Sequence, residues 1–95
     1  MRQPADVKYM FTVYAIYNKE RDKIYIGQTS DIDRRLKQHN GEIKFDDRLH
    51  YTTNLSGRWV IIYSEQVATR DAAMRRERQL KSHQGRTFIK SYIPG

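Results

Sequence analysis

Five side chains in this sequence carry groups that phosphoryl chemistry uses. They are the phenols of Tyr14 and Tyr25, the guanidinium of Arg35, the imidazole of His39 and the carboxylate of Glu77. Hydrolysis of a phosphodiester needs a base for the attacking water, cations for the developing charge, and stabilisation of the leaving alkoxide. These side chains offer a candidate for each role. Competing enzyme classes lack their residues, because the chain has no cysteine, no Gly-rich phosphate loop and no His-Glu-x-x-His pattern.

The two tyrosines lie on strands that the sequence predicts to be neighbours. Residues 9–17 read YMFTVYAIY, which is apolar on both alternating faces and rich in aromatic and β-branched residues. This pattern predicts a central strand that is covered on both sides. A polar turn at residues 18–22 separates it from a second predicted strand, residues 23–28, so the two strands should form a hairpin.

The register of this hairpin decides whether the two phenols meet. If Tyr17 pairs with Asp22 across a four-residue loop, Tyr14 lies directly opposite Tyr25, with Cβ atoms roughly 5 Å apart. A slip of one residue would place them on opposite faces. Cross-strand aromatic packing is the alternative explanation, since the chain has 7 tyrosines among 95 residues.

Arg35 and His39 lie on a predicted helix. Ser30 is the expected N-cap, with an acid three residues later as in a capping box, and the helix should end near residues 40–41. At roughly 100° per residue, Arg35 and His39 border the apolar stripe of this helix. Both have a structural alternative, because long cationic stems often lie along such a rim and a single histidine is more often structural than catalytic.

The rest of the chain contains further predicted elements. Residues 41–57 read as a long loop, residues 59–65 as a third strand that is apolar on both faces, and residues 69–82 as a second helix. Gly85 is expected to break that helix, and residues 86–92 are expected to form a short tail with a turn or helix.

Glu77 lies inside the apolar stripe of the second helix, whose predicted inward residues are Ala73, Met74 and Leu80. A carboxylate in that position costs several kcal/mol unless it is paired or bound to a metal. Lys81, four residues later, is well placed for an ion pair. The residues alone leave both explanations open.

The charge pattern indicates a nucleic-acid partner. The chain has 18 basic and 11 acidic side chains and a net charge of +7, and residues 66–95 hold seven basic side chains against two acidic ones. Eleven of the basic residues are arginines, whose guanidinium fork suits bidentate phosphate contacts. A merely solubilising surface is the alternative. The expected contacts are Arg70, Arg75, Arg76, Arg78, Lys81 and Arg86.

Length and composition set the remaining expectations. A chain of 95 residues suits one domain, predicted over residues 9–95 after an N-terminal tail at residues 1–8. No stretch approaches the roughly 20 apolar residues of a membrane span, and the N-terminus lacks the apolar core of a signal peptide. The absence of cysteine excludes disulfides and thiol chemistry. We expect a soluble, cytoplasmic protein.

Taken together, the motifs resemble those of the GIY-YIG nuclease family. Thr12-Val13-Tyr14 is followed after ten residues by Tyr25-Ile26-Gly27, and then by Arg35 and His39 within DIDRRLKQH. The resemblance continues through WVIIYSE and the helix that carries Glu77, and covers nearly the whole chain. It implies an α+β fold with a three-stranded antiparallel sheet flanked by helices. It also implies metal-dependent cleavage of DNA by a water nucleophile, as in members that serve repair, restriction, homing and junction processing.

The resemblance also implies a role for each site residue. Tyr14 matches the tyrosine that serves as general base, and Tyr25 the tyrosine that orients the water or the first phenol. Arg35 matches the arginine that contacts the scissile phosphate, and His39 a position that supports phosphate or base. Glu77 matches the metal-ligating glutamate, and a single carboxylate with waters and phosphate oxygens suits Mg²⁺ or Mn²⁺.

The sequence departs from the family pattern at three points. The first motif reads Thr12-Val13-Tyr14 where the family name gives Gly-Ile-Tyr, a position that tolerates variation because only its backbone lies in the strand. Many members carry an asparagine beyond the glutamate helix, whereas this chain has none after Asn54. Arg86 or Lys90 could replace its phosphate contact, or activity could be low. We also expect no accessory DNA-binding domain of the usual kind, so specificity would come from the basic C-terminal part, the loop at 41–57 or a partner protein.

The leading hypothesis is a monomeric, Mg²⁺-dependent DNA endonuclease with steep salt dependence and weak sequence preference. Two alternatives belong to other classes. The first is a catalytically silent nucleic-acid-binding module with the same fold. The second is a basic protein-interaction domain, which would not bind DNA even at low salt.

Overall fold

The computed structural model describes residues 10–42 and 57–95. The predicted tail at 1–8 and all but the ends of the predicted loop at 41–57 lie outside these residues. The elements in chain order are β1 (Phe11–Asn18), β2 (Lys23–Thr29), α1 (Ile32–His39), β3 (Trp59–Val67), α2 (Arg70–Lys81) and α3 (His83–Lys90).

The strands form one antiparallel sheet in the order β2-β1-β3. β1 is the central strand, and its residues 12–18 are all buried, as the two-sided apolar pattern predicts. The α+β fold with a three-stranded antiparallel sheet is therefore confirmed. β3 is the predicted third strand, and it lies at the edge of the sheet. Val60 and Ile61 are exposed on it, so its two apolar faces are not both covered. In the described part of the chain, no helix is long and apolar enough to span a membrane.

The register between β1 and β2 differs from the predicted one. Tyr14 lies opposite Gly27, and Tyr25 lies opposite Ile16, so the direct pairing of the two tyrosines was wrong by two residues. Because side chains alternate between faces with a period of two, this shift keeps both phenols on the same face. They are diagonal neighbours, with ring centroids 6.5 Å apart.

The turn explains the shift. Asn18 pairs with Lys23, so the four-residue loop is 19–22 and begins one residue later than predicted. The Asn18 side-chain oxygen accepts a hydrogen bond from the backbone N–H of Arg21 at 3.1 Å. Asp22 then takes a left-handed conformation with φ of 54°, which aspartate tolerates in turns. This hydrogen bond within the turn favours the longer strand.

Two hydrophobic clusters cover the two faces of the sheet. One face, which we call the α2 face, packs against α2 and α3, and the other, the α1 face, packs against α1. The buried residues of the α2 face are Val13, Ala15, Ile26, Ala73, Leu80 and Ile89. The buried residues of the α1 face are Tyr14, Ile16 and Trp59, with Tyr25, Ile32 and Leu36 packed beside them.

The helix boundaries confirm some predictions and correct others. α1 is capped by Asp31, whose side chain accepts a hydrogen bond from the backbone N–H of Arg34 at 3.1 Å, so Ser30 is not the N-cap. Asp31 is one residue closer and reaches the third amide of the helix, where a capping oxygen belongs. α2 has the predicted limits, with Thr69 as its N-cap and Ser82 as its C-cap.

Gly85 does not break a helix, because it lies inside α3. A Cβ at this position would lie 2.2 Å from the carbonyl oxygen of Gln79 and 2.5 Å from Leu80 Cα, so the glycine allows α3 to approach the end of α2 closely. The chain turns at Ser82 instead, which caps both helices. Met74, predicted to face inward, is 46% exposed, because it lies about 100° around the helix from the buried Ala73.

Candidate active site

A buried hydrogen bond joins the first tyrosine to the helix histidine. Tyr14 Oη lies 2.7 Å from His39 Nε2, and the two side chains are 1% and 0% exposed. Tyr14 comes from the middle of β1, and His39 is the last residue of α1. The imidazole tautomer decides which of the two atoms donates.

Asn40, which the sequence analysis missed, fixes the end of α1 against the sheet. Its side-chain nitrogen donates to the carbonyl oxygen of Trp59 at 3.1 Å, and its oxygen accepts from the Trp59 backbone N–H at 2.7 Å. These two hydrogen bonds resemble those between paired strands, and they hold His39, one residue earlier, over the α1 face. The sequence signal was only an asparagine at a helix end, which is equally typical of an ordinary cap.

Burial keeps the Tyr14–His39 pair neutral. Burial, reinforced by the positive charge of Arg35, lowers the pKa of His39 from its ordinary 6.5 to about 4. Burial raises the pKa of Tyr14 well above its ordinary value of 10, an effect that Tyr25 and Glu77 reinforce and Arg35 opposes. At neutral pH the contact therefore joins a phenol and an imidazole that are both uncharged.

Tyr25 and Gly27 complete the surroundings of this pair. The Tyr25 ring lies 4.7 Å from the His39 ring between centroids. A Cβ on Gly27 would lie 2.9 Å from Tyr14 Oη and 3.1 Å from Tyr25 Cε2. The missing side chain therefore makes room for the Tyr14 phenol.

Arg35 is half-buried on α1. Its charge acts on both Tyr14 and His39, and it makes no ion pair with any described residue. An unpaired guanidinium beside a neutral phenol and imidazole is suited to an anionic ligand.

Glu77 is on α2, and its negative charge is the smallest of the contributions that raise the pKa of Tyr14. Its side chain is 24% exposed, and Oε2 accepts a hydrogen bond from Lys81 Nζ at 2.6 Å. The ion pair that the sequence left open is therefore present.

One carboxylate in the described residues could hold a metal at this site. Within residues 10–42 and 57–95, no group of three His, Asp or Glu side chains forms a ready cage. Mg²⁺ commonly uses one or two carboxylates and completes its octahedron with waters and substrate phosphates. Glu77 fits a site of this kind, in which a cation would compete with Lys81 for a carboxylate oxygen.

The six predicted DNA contacts fall into two groups. Arg76 Nε donates to Glu65 Oε2 at 2.9 Å, and Lys81 is paired with Glu77, so both have acidic partners within the fold. The carboxylate of Glu65 also accepts a hydrogen bond from the Tyr63 hydroxyl. The other four predicted contacts are exposed and have no ion pair with a described residue: Arg70, Arg75, Arg78 and Arg86.

Arg86 and Lys90, which could replace the missing asparagine, lie elsewhere. Both line a cavity of about 520 Å³ together with Asp22 and Lys23, at the hairpin end of β2. None of the five candidate catalytic side chains lines this cavity. The structure does not bring Arg86 or Lys90 to the Tyr14 site.

Comparisons with known proteins agree with this geometry. The family model of the GIY-YIG catalytic domain matches residues 10–92. A UPF0213 protein from Bacillus halodurans, solved by solution NMR, is similar in structure with a TM-score of 0.50 and 25% sequence identity. The match covers 90% of this chain and 87% of that protein. Among curated proteins, no relative matches the chain.

Proposed function

The chain belongs to the GIY-YIG family of nucleases, and we propose that it is a metal-dependent DNA endonuclease that hydrolyses one phosphodiester bond with a water nucleophile. The observation that carries this proposal is the 2.7 Å contact between Tyr14 Oη and His39 Nε2, buried beside an Arg35 that has no ion pair with a described residue.

Tyr14 and His39 act on the water as one unit. A phenol with a raised pKa is a donor in its resting state, so it can take a proton from water only if it releases its own. His39 Nε2 is the acceptor at 2.7 Å when its ring proton is on Nδ1. The water proton moves to Tyr14 Oη while the phenol proton moves to His39. The negative charge of a bound phosphate stabilises the imidazolium that results.

The other residues stabilise charge and orientation. Arg35 donates to the equatorial oxygens of the scissile phosphate, where negative charge accumulates. Tyr25 packs against His39 and fixes the ring plane, and its phenol orients the water. Glu77 would hold Mg²⁺ or Mn²⁺, which supplies positive charge for the leaving oxygen. The exposed arginines bind phosphates without reading the sequence.

The test is cleavage of end-labelled duplex, flap, fork, four-way junction and single-stranded DNA, with Mg²⁺ or Mn²⁺ and without metal. The variants are Arg35→Ala and Glu77→Gln, with Glu42→Gln as the matched control, because Glu42 pairs with Arg58 on the surface. We expect metal-dependent cutting of at least one substrate, lost in the two site variants and retained in the control. Metal-independent cutting, or equal cutting by Glu77→Gln, would contradict the proposal.

A catalytically silent nucleic-acid-binding module is the second candidate. Two observations favour it: the chain has no asparagine after Asn54, and Lys81 already pairs with Glu77. In that case the wild type binds the DNA panel at low salt and cuts none of it with either metal. A basic protein-interaction domain would bind none of the panel.

A further inference from the structure

A small cleft at the end of β2 has features that the proposed hydrolysis does not use. Its volume is about 210 Å³, and it is lined by Phe11, Gln28, Thr29, Ser30, Arg35 and Arg70. Sites for drug-sized molecules are larger, at roughly 300–1,000 Å³. The cleft is therefore suited to one chemical group of a larger ligand.

The lining of this cleft favours an anion. Arg35 comes from α1 and Arg70 from the first turn of α2, two helices that pack on different faces of the sheet. The guanidinium group of neither arginine has an ion pair with a described residue, and no carboxylate lines the cleft. Two guanidinium groups in one cleft repel each other unless a negative charge lies between them. Gln28 and Ser30 add neutral hydrogen-bonding groups.

The cleft shares only Arg35 with the candidate active site. Tyr14, Tyr25, His39 and Glu77 are not among its lining residues. An anion in the cleft is therefore a different one from the anion that would lie beside Tyr14. Arg35 stands between the two positions and can contact both.

We propose that this cleft binds a second phosphate of the cleaved strand, next to the scissile one, between Arg35 and Arg70. The inference rests on the proposed nuclease function and deepens it. It gives Arg70 a role that the other exposed arginines do not have, because a fixed neighbouring phosphate sets which phosphodiester reaches Tyr14. The same chemistry suits an internal phosphodiester or a terminal phosphate at a nick.

Metal-free DNA binding tests the inference without depending on cleavage. Dissociation constants of a labelled duplex are measured over a range of salt concentrations for the wild type, Arg70→Ala, Arg70→Gln and Arg21→Ala. Arg21 is the matched control, because it is exposed in the turn at the opposite end of β2. We expect both Arg70 variants to bind about tenfold more weakly and to lower the salt slope by about one. Arg21→Ala should change affinity less than twofold.

Neutral methylphosphonates, placed one at a time along the strand, then locate the phosphate. At the position held by the cleft, wild type and Arg70→Ala should bind equally well, because the partner charge is already gone. A nicked duplex with either a 5′-phosphate or a 5′-hydroxyl tests for a terminal phosphate. If the wild type and Arg70→Ala differ in affinity with the 5′-phosphate and bind equally only with the 5′-hydroxyl, the cleft binds a terminal phosphate. If Arg70→Ala binds like Arg21→Ala while the wild type cuts DNA, the inference is wrong and the nuclease proposal stands. If the wild type binds no DNA at low salt, both are wrong.

Discussion

The two faces of the sheet differ in what they bury, although alternate residues of the same strand supply both. On the α2 face, β1 contributes Val13 and Ala15 to a cluster whose buried members are all apolar. On the α1 face, β1 contributes Tyr14, whose hydroxyl meets His39 in the interior. Apolar burial stabilises without direction, whereas a buried polar pair has a desolvation cost and a defined geometry. The comparison assigns stability to one face and chemistry to the other.

The largest expected effect is on the α1 face. Tyr14→Phe removes one oxygen and should lower the single-turnover cleavage rate about 10²- to 10⁴-fold, because general-base catalysis contributes that much. It should lower the free energy of unfolding by only about 1–3 kcal/mol, the cost of leaving His39 Nε2 without the phenol.

Tyr17→Phe is the control, since Tyr17 Oη donates to Asp22 Oδ1 at 2.8 Å at the hairpin end of the same strand. Its cleavage rate should equal that of the wild type, and its unfolding free energy should fall by about 1 kcal/mol. Equal cleavage rates for Tyr14→Phe and Tyr17→Phe would contradict the assignment of the chemistry to the α1 face.

The second effect is on the α2 face. Leu80→Ala removes a side chain that is 1% exposed and should lower the free energy of unfolding by about 2–5 kcal/mol, measured in urea. Met74→Ala on the same helix is the matched control, because Met74 is 46% exposed and such changes stay within about 0.5 kcal/mol. The cleavage rate per folded molecule should be unchanged in both. A large loss of that rate in Leu80→Ala would show that the α2 face also positions the chemistry.

The third effect is a pH dependence that only the α1 face should produce. The pKa of His39 is lowered to about 4 in the fold, from 6.5 in the unfolded chain. Between these values the unfolded state binds more protons, so stability is fully present above pH 6.5 and is lost as the pH falls toward 4. From pH 7 to pH 5, we expect the loss to be about 2 kcal/mol.

Urea unfolding at the two pH values measures this loss. His39→Gln should remove most of it, whereas His83→Gln, on the exposed start of α3, should retain it. Equal pH dependence in the wild type and His39→Gln would contradict the assignment of a neutral, buried His39.

The sequence predicted the elements better than the contacts between them. Local patterns placed β1, α1 and α2, because their apolar periods and the Thr69 cap are signals within a few residues. The tyrosine pairing failed because it depends on the turn, where Asn18 and Asp22 set the register through their side-chain and backbone conformations. The prediction for Gly85 was wrong because glycine is typical both of a helix break and of a close contact between two helices, and the sequence does not distinguish the two.

The candidate site shows the same limit. Residue types and spacing selected Tyr14, Tyr25, Arg35, His39 and Glu77 as the candidate set. They did not reveal that the Tyr14 hydroxyl meets His39, or that Asn40 holds the end of α1 on Trp59. They also could not separate the paired Arg76 and Lys81 from the exposed arginines, since pairing depends on which acids the fold brings near. Long-range partners are set by tertiary packing, which local periodicity does not encode.

The smallest effect concerns the residue that crosses the boundary, because Glu77 belongs to α2 but acts on Tyr14. Its pair with Lys81 is partly exposed, at 24% and 46%, and such i,i+4 pairs are worth about 0.3–0.5 kcal/mol. Glu77 must give up its pair with Lys81 when it binds a cation. Lys81→Ala should therefore tighten Mn²⁺ binding to the DNA-free protein about twofold, measured by electron paramagnetic resonance. Lys37→Ala removes the same charge from an exposed position on α1 and should leave Mn²⁺ affinity unchanged. Glu77→Gln should abolish Mn²⁺ binding. Weaker Mn²⁺ binding in Lys81→Ala would place the metal elsewhere.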